Sequence, residues 1–240
     1  MKTFKYHHED PVPLSKADLF KLFNDNRVYK FIIELLVSLG KTDLPQCKVL
    51  EPGCGNGSKL RFFSEFRVPP ENCYGLEISE KAIEICQKWS PAAMNFDVGS
   101  VMDMHYEDNF FDLIICSGLF DCFNEDKDIG KVSKELSRVL KNDGIVFILD
   151  INENFNNYYR NNPAVMAKNL RPFNSQTGEL ETLLENEFTV VSRVPSFVVE
   201  NYFNSDGEYA SVYDLPSIDA KIDKEEIKCA YTLWTFFKKL

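Results

Sequence analysis

The sequence predicts an α/β protein, a doubly wound and mostly parallel sheet with helices on both faces. Three observations carry that expectation. From residue 47 onward, short apolar runs alternate with amphipathic helical segments, the grain of a parallel sheet covered on both sides. The runs DLIICS (112–117) and IVFILDI (145–151) are apolar almost throughout, as strands buried on both faces are. A glycine-rich turn, PGCGNG (52–57), directly follows the short run KVLE (48–51).

The elements follow in order. The first 45 residues read as helical. Ser15 followed by Asp18 opens a helix, Val28, Phe31, Ile32, Leu35, Leu36 and Leu39 recur at helical spacing, and Gly40 ends it. A strand is expected over 48–50, a helix over 58–67, a strand over 73–77 and a helix over 79–89 with Ala82, Ile83 and Cys86 on one face. Strands are expected at 94–98 and 112–117. The helix 126–140 has Ile129, Val132, Leu136, Val139 and Leu140 in register, and Asn142-Asp143-Gly144 turns the chain into the strand 145–151. Beyond it the pattern loosens. Residues 152–175 are rich in Asn and aromatics, a short helix is expected at 179–186, and strands at 188–199 and 231–238 bracket a polar, irregular stretch, 204–229. Irregular stretches of that length in a compact domain are usually functional lids or disordered. The expected organisation is therefore an N-terminal helical segment, 1–45, capping the active site, and a ligand-binding domain, 46–240, with lid insertions at about 152–175 and 204–229.

Composition bounds the function. With 240 residues, 44% of them hydrophobic, the chain buries a sizeable core. Its 37 acidic and 27 basic residues, net charge −10, argue against a duplex nucleic acid partner. No window approaches the roughly 20 apolar residues that span a bilayer, and the first 30 residues carry charges throughout. The expected setting is the cytoplasm. Five of the seven cysteines (Cys47, Cys54, Cys73, Cys86, Cys116) sit in or beside apolar runs, and no C-x-x-C pair occurs. Reduced structural thiols and no metal site are expected.

In open parallel sheets ligands bind beyond the carboxyl ends of the strands, which is where the glycine turn lies. A dinucleotide fingerprint is G-x-G-x-x-G. Here Gly53, Gly55 and Gly57 come at every second position, and Ser58 stands where the third glycine belongs. Glu51, two residues before the turn, repels a pyrophosphate and attracts an ammonium. Glu77, twenty residues beyond Gly57, suits both hydroxyls of a ribose. The ligand so described is a nucleoside with a cationic or zwitterionic tail, and S-adenosylmethionine fits.

VLEPGCGNGSKL is similar to the first motif of the class I S-adenosylmethionine-dependent methyltransferases. YGLEIS, carrying Glu77, resembles the family's ribose-binding segment. VGSVMDMHYEDNFFDLI resembles its third-strand loop and fourth strand, and LSRVLKNDGIVFILDI its fifth strand. ENEFTVVSRV and YTLWTFFKKL look like its sixth and seventh strands. The resemblance is strong over about 48–150. It implies a Rossmann-like methyltransferase fold of seven strands, the last antiparallel, with S-adenosylmethionine as cofactor and S-adenosylhomocysteine as product. It further implies cofactor contacts at Glu51, Gly53, Cys54, Gly55, Asn56, Gly57, Glu77, Ile78, Ser100, Val101, Met102 and Ser117. Many members carry Asp where Ser100 stands, which leaves the backbone amides of Val101 and Met102 to meet the adenine edge. Many also carry His near Cys122 in SGLFDCF, which leaves Asp121 beside it.

Methyl transfer from a sulfonium needs alignment above all, and a hydroxyl acceptor benefits from a base. Asp121, His7 and His8 are the candidate bases. Tyr158, Tyr159, Arg160 and Arg171 are the candidate acceptor-binding residues, the arginines as a fork for phosphate or carboxylate and the tyrosines as a stacking surface. Each has a structural alternative: tail histidines, packed tyrosines, solvated arginines, and Asp121 as a helix cap. His105 reads as a loop histidine. The expected acceptor is a small polar molecule methylated on oxygen, a sugar, nucleotide-linked sugar or phosphorylated metabolite. An amine or small acid methylated on nitrogen is the alternative, as is a non-catalytic cofactor-binding partner subunit. An NAD-dependent dehydrogenase is disfavoured by the glycine spacing and Glu51.

Overall fold

The computed structural model describes residues 16–155, 169–197, 229 and 231–239. The chain forms α1 (Lys16–Ser38), β1 (Val49–Pro52), α2 (Ser58–Glu65), β2 (Cys73–Glu77), α3 (Glu80–Trp89), β3 (Asn95–Val98), β4 (Phe111–Ser117), α4 (Asp126–Val139) and β5 (Leu140–Ile151). A short helix, α5 (Glu179–Leu184), and the strands β6 (Phe188–Phe197) and β7 (Tyr231–Lys238) complete it. Seven strands make one sheet in the order β3-β2-β1-β4-β5-β7-β6. Pairings from β3 through β5 are parallel, and β7 runs antiparallel between β5 and β6. The order reverses between β1 and β4, so the crevice of the sheet opens at the carboxyl end of β1.

Alternation along the central strands builds a core on each face. Leu113 and Ile115 of β4, with Ile145, Phe147 and Leu149 of β5, meet Val28, Ile32 and Leu36 of α1 and Leu60 and Phe63 of α2. Ile114, Cys116, Val146 and Ile148 point the other way, toward Ile129, Val132 and Leu136 of α4 and Leu180 and Leu184 of α5. Trp234 and Phe236 of β7 join that second core, and Trp234 Nε1 donates to Glu181 Oε1 at 3.1 Å.

Most elements fall where the sequence places them, with ends shifted by a residue or two. β5 is the exception: it starts at Leu140, five residues before the expected strand. Leu140 pairs with Phe111, and the next pair is Leu113 with Ile145, so residues 141–144 are extruded from the ladder. The expected Asn142-Asp143-Gly144 turn is that extrusion. A Cβ on Gly144 would lie 2.5 Å from Leu140 Cδ1 and 3.0 Å from the Lys141 carbonyl, so the tight turn requires glycine.

The expected capping segment, 1–45, is described only from residue 16, where α1 packs on a face of the sheet. The lid at 152–175 is described at its two ends, and of the lid at 204–229 only Cys229 is described. No helix among the described residues is long and apolar enough to cross a membrane.

Candidate functional site

The turn after β1 is set by backbone geometry. Gly53, Gly55 and Gly57 have φ of 70°, 54° and 74°, a region that L side chains rarely adopt. The amides of Gly53 and Cys54 both donate to the Leu76 carbonyl, at 2.7 and 3.1 Å, and Gly57 N donates to the Cys54 carbonyl at 2.8 Å. The turn is thereby fastened to β2 before it enters α2. Beneath it the buried thiols of Cys54 and Cys86 bond to one another, and Cys86 Sγ also donates to the Gly55 carbonyl at 3.2 Å. Asn56 Oδ1 accepts from Ser58 N at 3.2 Å and helps close the start of α2.

Two carboxyls flank this turn. Glu51 lies in β1, 3% exposed, and its Oε2 has no hydrogen-bond partner among the described residues. Burial pushes the Glu51 carboxyl up to about 8, against the pull of the nearby Lys59 ammonium. Lys59 itself bonds Asp25 Oδ1 of α1 at 2.7 Å. Glu77, at the end of β2, is oriented by two amides: Oε2 accepts from Gly55 N at 3.1 Å and Oε1 from Ser79 N at 3.2 Å. Each oxygen keeps a lone pair for a ligand hydroxyl.

Apolar side chains stand open at the same edge. Ile78 is 61% exposed and Val98, ending β3, is 50% exposed. Ser100 Oγ accepts from Met102 N at 3.2 Å. The Met102 amide expected at an adenine edge is thus already engaged, and Ser100 builds the turn that holds Val101. Ser117 ends β4, half-buried.

Asp121 sits just past β4, in a single 3-10 turn (Phe120–Cys122), 4% exposed. It does not cap α4: Glu125 is the N-cap of that helix and makes no side-chain cap bond. The Asp121 carboxyl accepts from the Cys122 thiol at 3.4 Å, and burial together with Asp121 pushes that thiol up to about 12. Asp150, in β5, is the partner that sequence reasoning missed. It is fully buried and accepts from the backbone N–H groups of Phe120, at 3.1 Å, and Asp121. Burial, and after it the adjacent Asp121 charge, raise Asp150 well above the usual carboxylate range. The signal was a carboxylate in an apolar run, IVFILDI, where none belongs without a partner.

Arg171 is not an open fork. Its guanidinium bonds Asp126 Oδ1 at 2.6 Å and Glu179 Oε1 at 2.9 Å, and its amide donates to the Asp121 carbonyl at 2.8 Å. It ties the start of α4 to α5 instead of awaiting an anion. His7, His8, Tyr158, Tyr159 and Arg160 lie outside the described residues. His105 is an exposed loop side chain 3.4 Å from Asp97 Oδ2. No group of His, Cys, Asp and Glu suited to a metal occurs among the described residues.

A seven-stranded sheet with an inserted antiparallel strand, a positive-φ glycine turn at its switch point and acids ending the first two strands define the class I S-adenosylmethionine-dependent methyltransferase fold. Residues 50–148 match the family described as "Methyltransferase domain". The chain is 30% identical over 124 residues to an uncharacterized protein of Rickettsia prowazekii (strain Madrid E), covering 50% of this chain and 49% of that one. It is 30% identical over 107 residues to ajmaline N-methyltransferase of Rauvolfia serpentina, covering 42% and 35%. It thus matches half or less of the length of these curated relatives. A solved S-adenosylmethionine-dependent methyltransferase from Mesorhizobium loti shares the fold, with TM-score 0.58, 13% identity and coverage of 82% and 92%.

Proposed function

We propose that the protein binds S-adenosylmethionine at the glycine turn and transfers its methyl group to an oxygen of a small polar acceptor, a sugar or related hydroxylated metabolite. The observation that carries this reading is the buried Glu51 carboxyl with an unpartnered Oε2 beside three positive-φ glycines. A buried oxygen without a donor is costly, and a ligand ammonium removes that cost. The residues present fit the cofactor: Glu51 for the ammonium, Glu77 for the ribose, Ile78 and Val98 as apolar walls for the adenine. S-Adenosylmethionine supplies an electrophilic methyl group and a neutral thioether leaving group. A diphosphate ligand fits poorly, because it brings no donor to the unpartnered Glu51 Oε2.

The chain's contribution to the chemistry is alignment and a proton acceptor. Asp121, just past the end of β4, is the candidate carboxylate to receive a hydroxyl proton, while Asp150 is fully buried and held by the Phe120 amide. Because Arg171 is already paired with two carboxylates, a neutral acceptor suits the site better than a phosphorylated one. Arg160, Tyr158 and Tyr159 remain the candidates for holding it, with His7 and His8 as further candidate bases and the N-terminal segment closing over it. Seven free thiols suit the reducing cytoplasm.

The likeness to ajmaline N-methyltransferase favours a second reading, transfer to an amine, which needs no base. Calorimetry with S-adenosylhomocysteine and NAD tests the cofactor. Release of S-adenosylhomocysteine in the presence of hydroxylated or amine acceptors tests the reaction, and absence of release with both classes would favour a non-catalytic partner subunit. Asp121→Asn should slow transfer to a hydroxyl by about 10²-fold or more. Unchanged turnover in that variant would move the proposal to nitrogen.

A further inference from the structure

Lys59 lies in the first turn of α2, immediately behind the glycine turn, and is only 6% exposed. A buried ammonium requires an anionic partner. Two carboxyls compete for it. Asp25 of α1 holds Nζ at 2.7 Å, in a pair whose side chains are 7% and 13% exposed. Glu51 is the other: Lys59 is the charge that acts on it most strongly, yet its Oε2 has no partner. The Tyr29 ring, 5.2 Å from Lys59 Nζ, adds a second attraction from the α1 side. Tyr29 is itself stacked on Phe62 of α2, with ring centroids 3.5 Å apart and planes within 5°. Two contacts therefore hold the Lys59 ammonium from the α1 side, and the ring stack seats α1 on α2.

We propose that Asp25 is a positioning residue for cofactor recognition: by binding Lys59 it withholds that cation from Glu51, so that the Glu51 carboxyl stays available for the ammonium of the cofactor. This rests on the reading of Glu51 as the ammonium site. Without the Asp25 charge, the carboxyl left to Lys59 among the described residues is Glu51. A tethered cation competes at high effective concentration and excludes a free one. α1 is then part of the cofactor site through Lys59, and its seating on α2 sets affinity.

The test compares two nucleosides. S-Adenosylhomocysteine carries the ammonium; 5′-methylthioadenosine is the same thioether nucleoside without the amino-acid tail. In calorimetric titrations, Asp25→Asn should lose about tenfold to a hundredfold in affinity for S-adenosylhomocysteine, the range of one hydrogen bond to a charged group. Its affinity for 5′-methylthioadenosine should stay at the wild-type value. Asp25→Asn/Lys59→Met, which leaves no cation to compete, should recover most of the lost affinity. Asp25→Glu, which keeps the charge, should bind like the wild type. Melting curves check that each variant is folded, and the double variant, with no unpaired buried charge, keeps the test alive if the single one unfolds: it should then still bind S-adenosylhomocysteine more tightly than 5′-methylthioadenosine. The proposal is overturned if Asp25→Asn binds S-adenosylhomocysteine as the wild type does, if both nucleosides weaken together, or if the double variant shows no advantage for the ammonium-bearing ligand. Failure of the underlying site reading looks different: the wild type itself would bind neither nucleoside, or Glu51→Gln would bind both unchanged.

Discussion

Raising the pH from 6 to 8 should tighten the binding of S-adenosylhomocysteine, and the effect should reside in Glu51. Burial holds that carboxyl near 8 in the free protein, with Lys59 opposing the shift. An ammonium ligand needs the carboxylate, so binding at pH 7 must expel a proton. Each pH unit below the raised value costs about 1.4 kcal/mol, or tenfold in affinity. Affinity should therefore climb by up to about tenfold per unit from pH 6. It should level off near pH 8, where the ligand's own amino group, with an ordinary value of about 8, begins to lose its proton. The assay is calorimetry at pH 6, 7 and 8 in buffers of different ionisation enthalpy, which counts protons released. Close to one proton is expected for S-adenosylhomocysteine at pH 6 and none for 5′-methylthioadenosine. The same group governs stability. In the unfolded chain the carboxyl ionises near its ordinary 4.5, whereas the fold keeps it protonated to about 8. The ligand-free fold should thus lose stability as pH rises through that window and lose no more above it. Glu51→Gln should melt higher than the wild type at pH 8 while binding S-adenosylhomocysteine more weakly. A flat pH profile for S-adenosylhomocysteine, or the same slope for both nucleosides, would refute the reasoning.

Glu77→Ala should weaken both nucleosides alike, by about 1.5–3 kcal/mol, since the lost bonds are to the ribose that they share; calorimetry on the folded variant checks it. Gly55→Val should abolish binding, because a branched residue at φ 54° rearranges the turn that Glu77 anchors, and near-normal affinity would place the ligand elsewhere. Arg171→Ala should lower the melting temperature by an amount equivalent to about 1 kcal/mol and leave KM for the acceptor unchanged, because its two ion pairs join α4 to α5. A raised KM with normal stability would restore the anion-fork reading.

The parts of the fold legible in the sequence were those encoded locally. Apolar periodicity located β4, β5 and α4, and the glycine spacing with Glu51 and Glu77 located the turn and its acids. Pairings between distant segments were not legible. Asp150 became visible only when the amides of Phe120 and Asp121, some thirty positions away in sequence, were brought onto it. Arg171 looked free because Asp126 and Glu179 sit on two separate helices. The extrusion at 141–144 read as an ordinary turn, since only the pairing of Leu140 with Phe111 reveals a strand on both sides of it. Lys59 and Asp25 are ordinary surface residue types, and nothing in their spacing announces a buried pair.

The position of β7 bears on how the molecule is made. It comes after every other strand in sequence yet sits inside the sheet, pairing with β5 on one side and β6 on the other. A nascent chain that has emerged only through β6 has neither β5 closed nor β6 attached. The backbone groups along one side of β5, flanked by Ile145, Phe147 and Ile148, then wait for a partner many tens of residues away in the chain, as Ile145 with Phe237 illustrates. Such a distant closure is slow, and an open apolar edge invites other chains. The glycine turn, by contrast, is bonded by β1, β2, α2 and α3, all from the first half of the chain. The ligand-holding half can be assembled on the ribosome well before the sheet is sealed, and early occupancy by a small molecule would steady it through that interval.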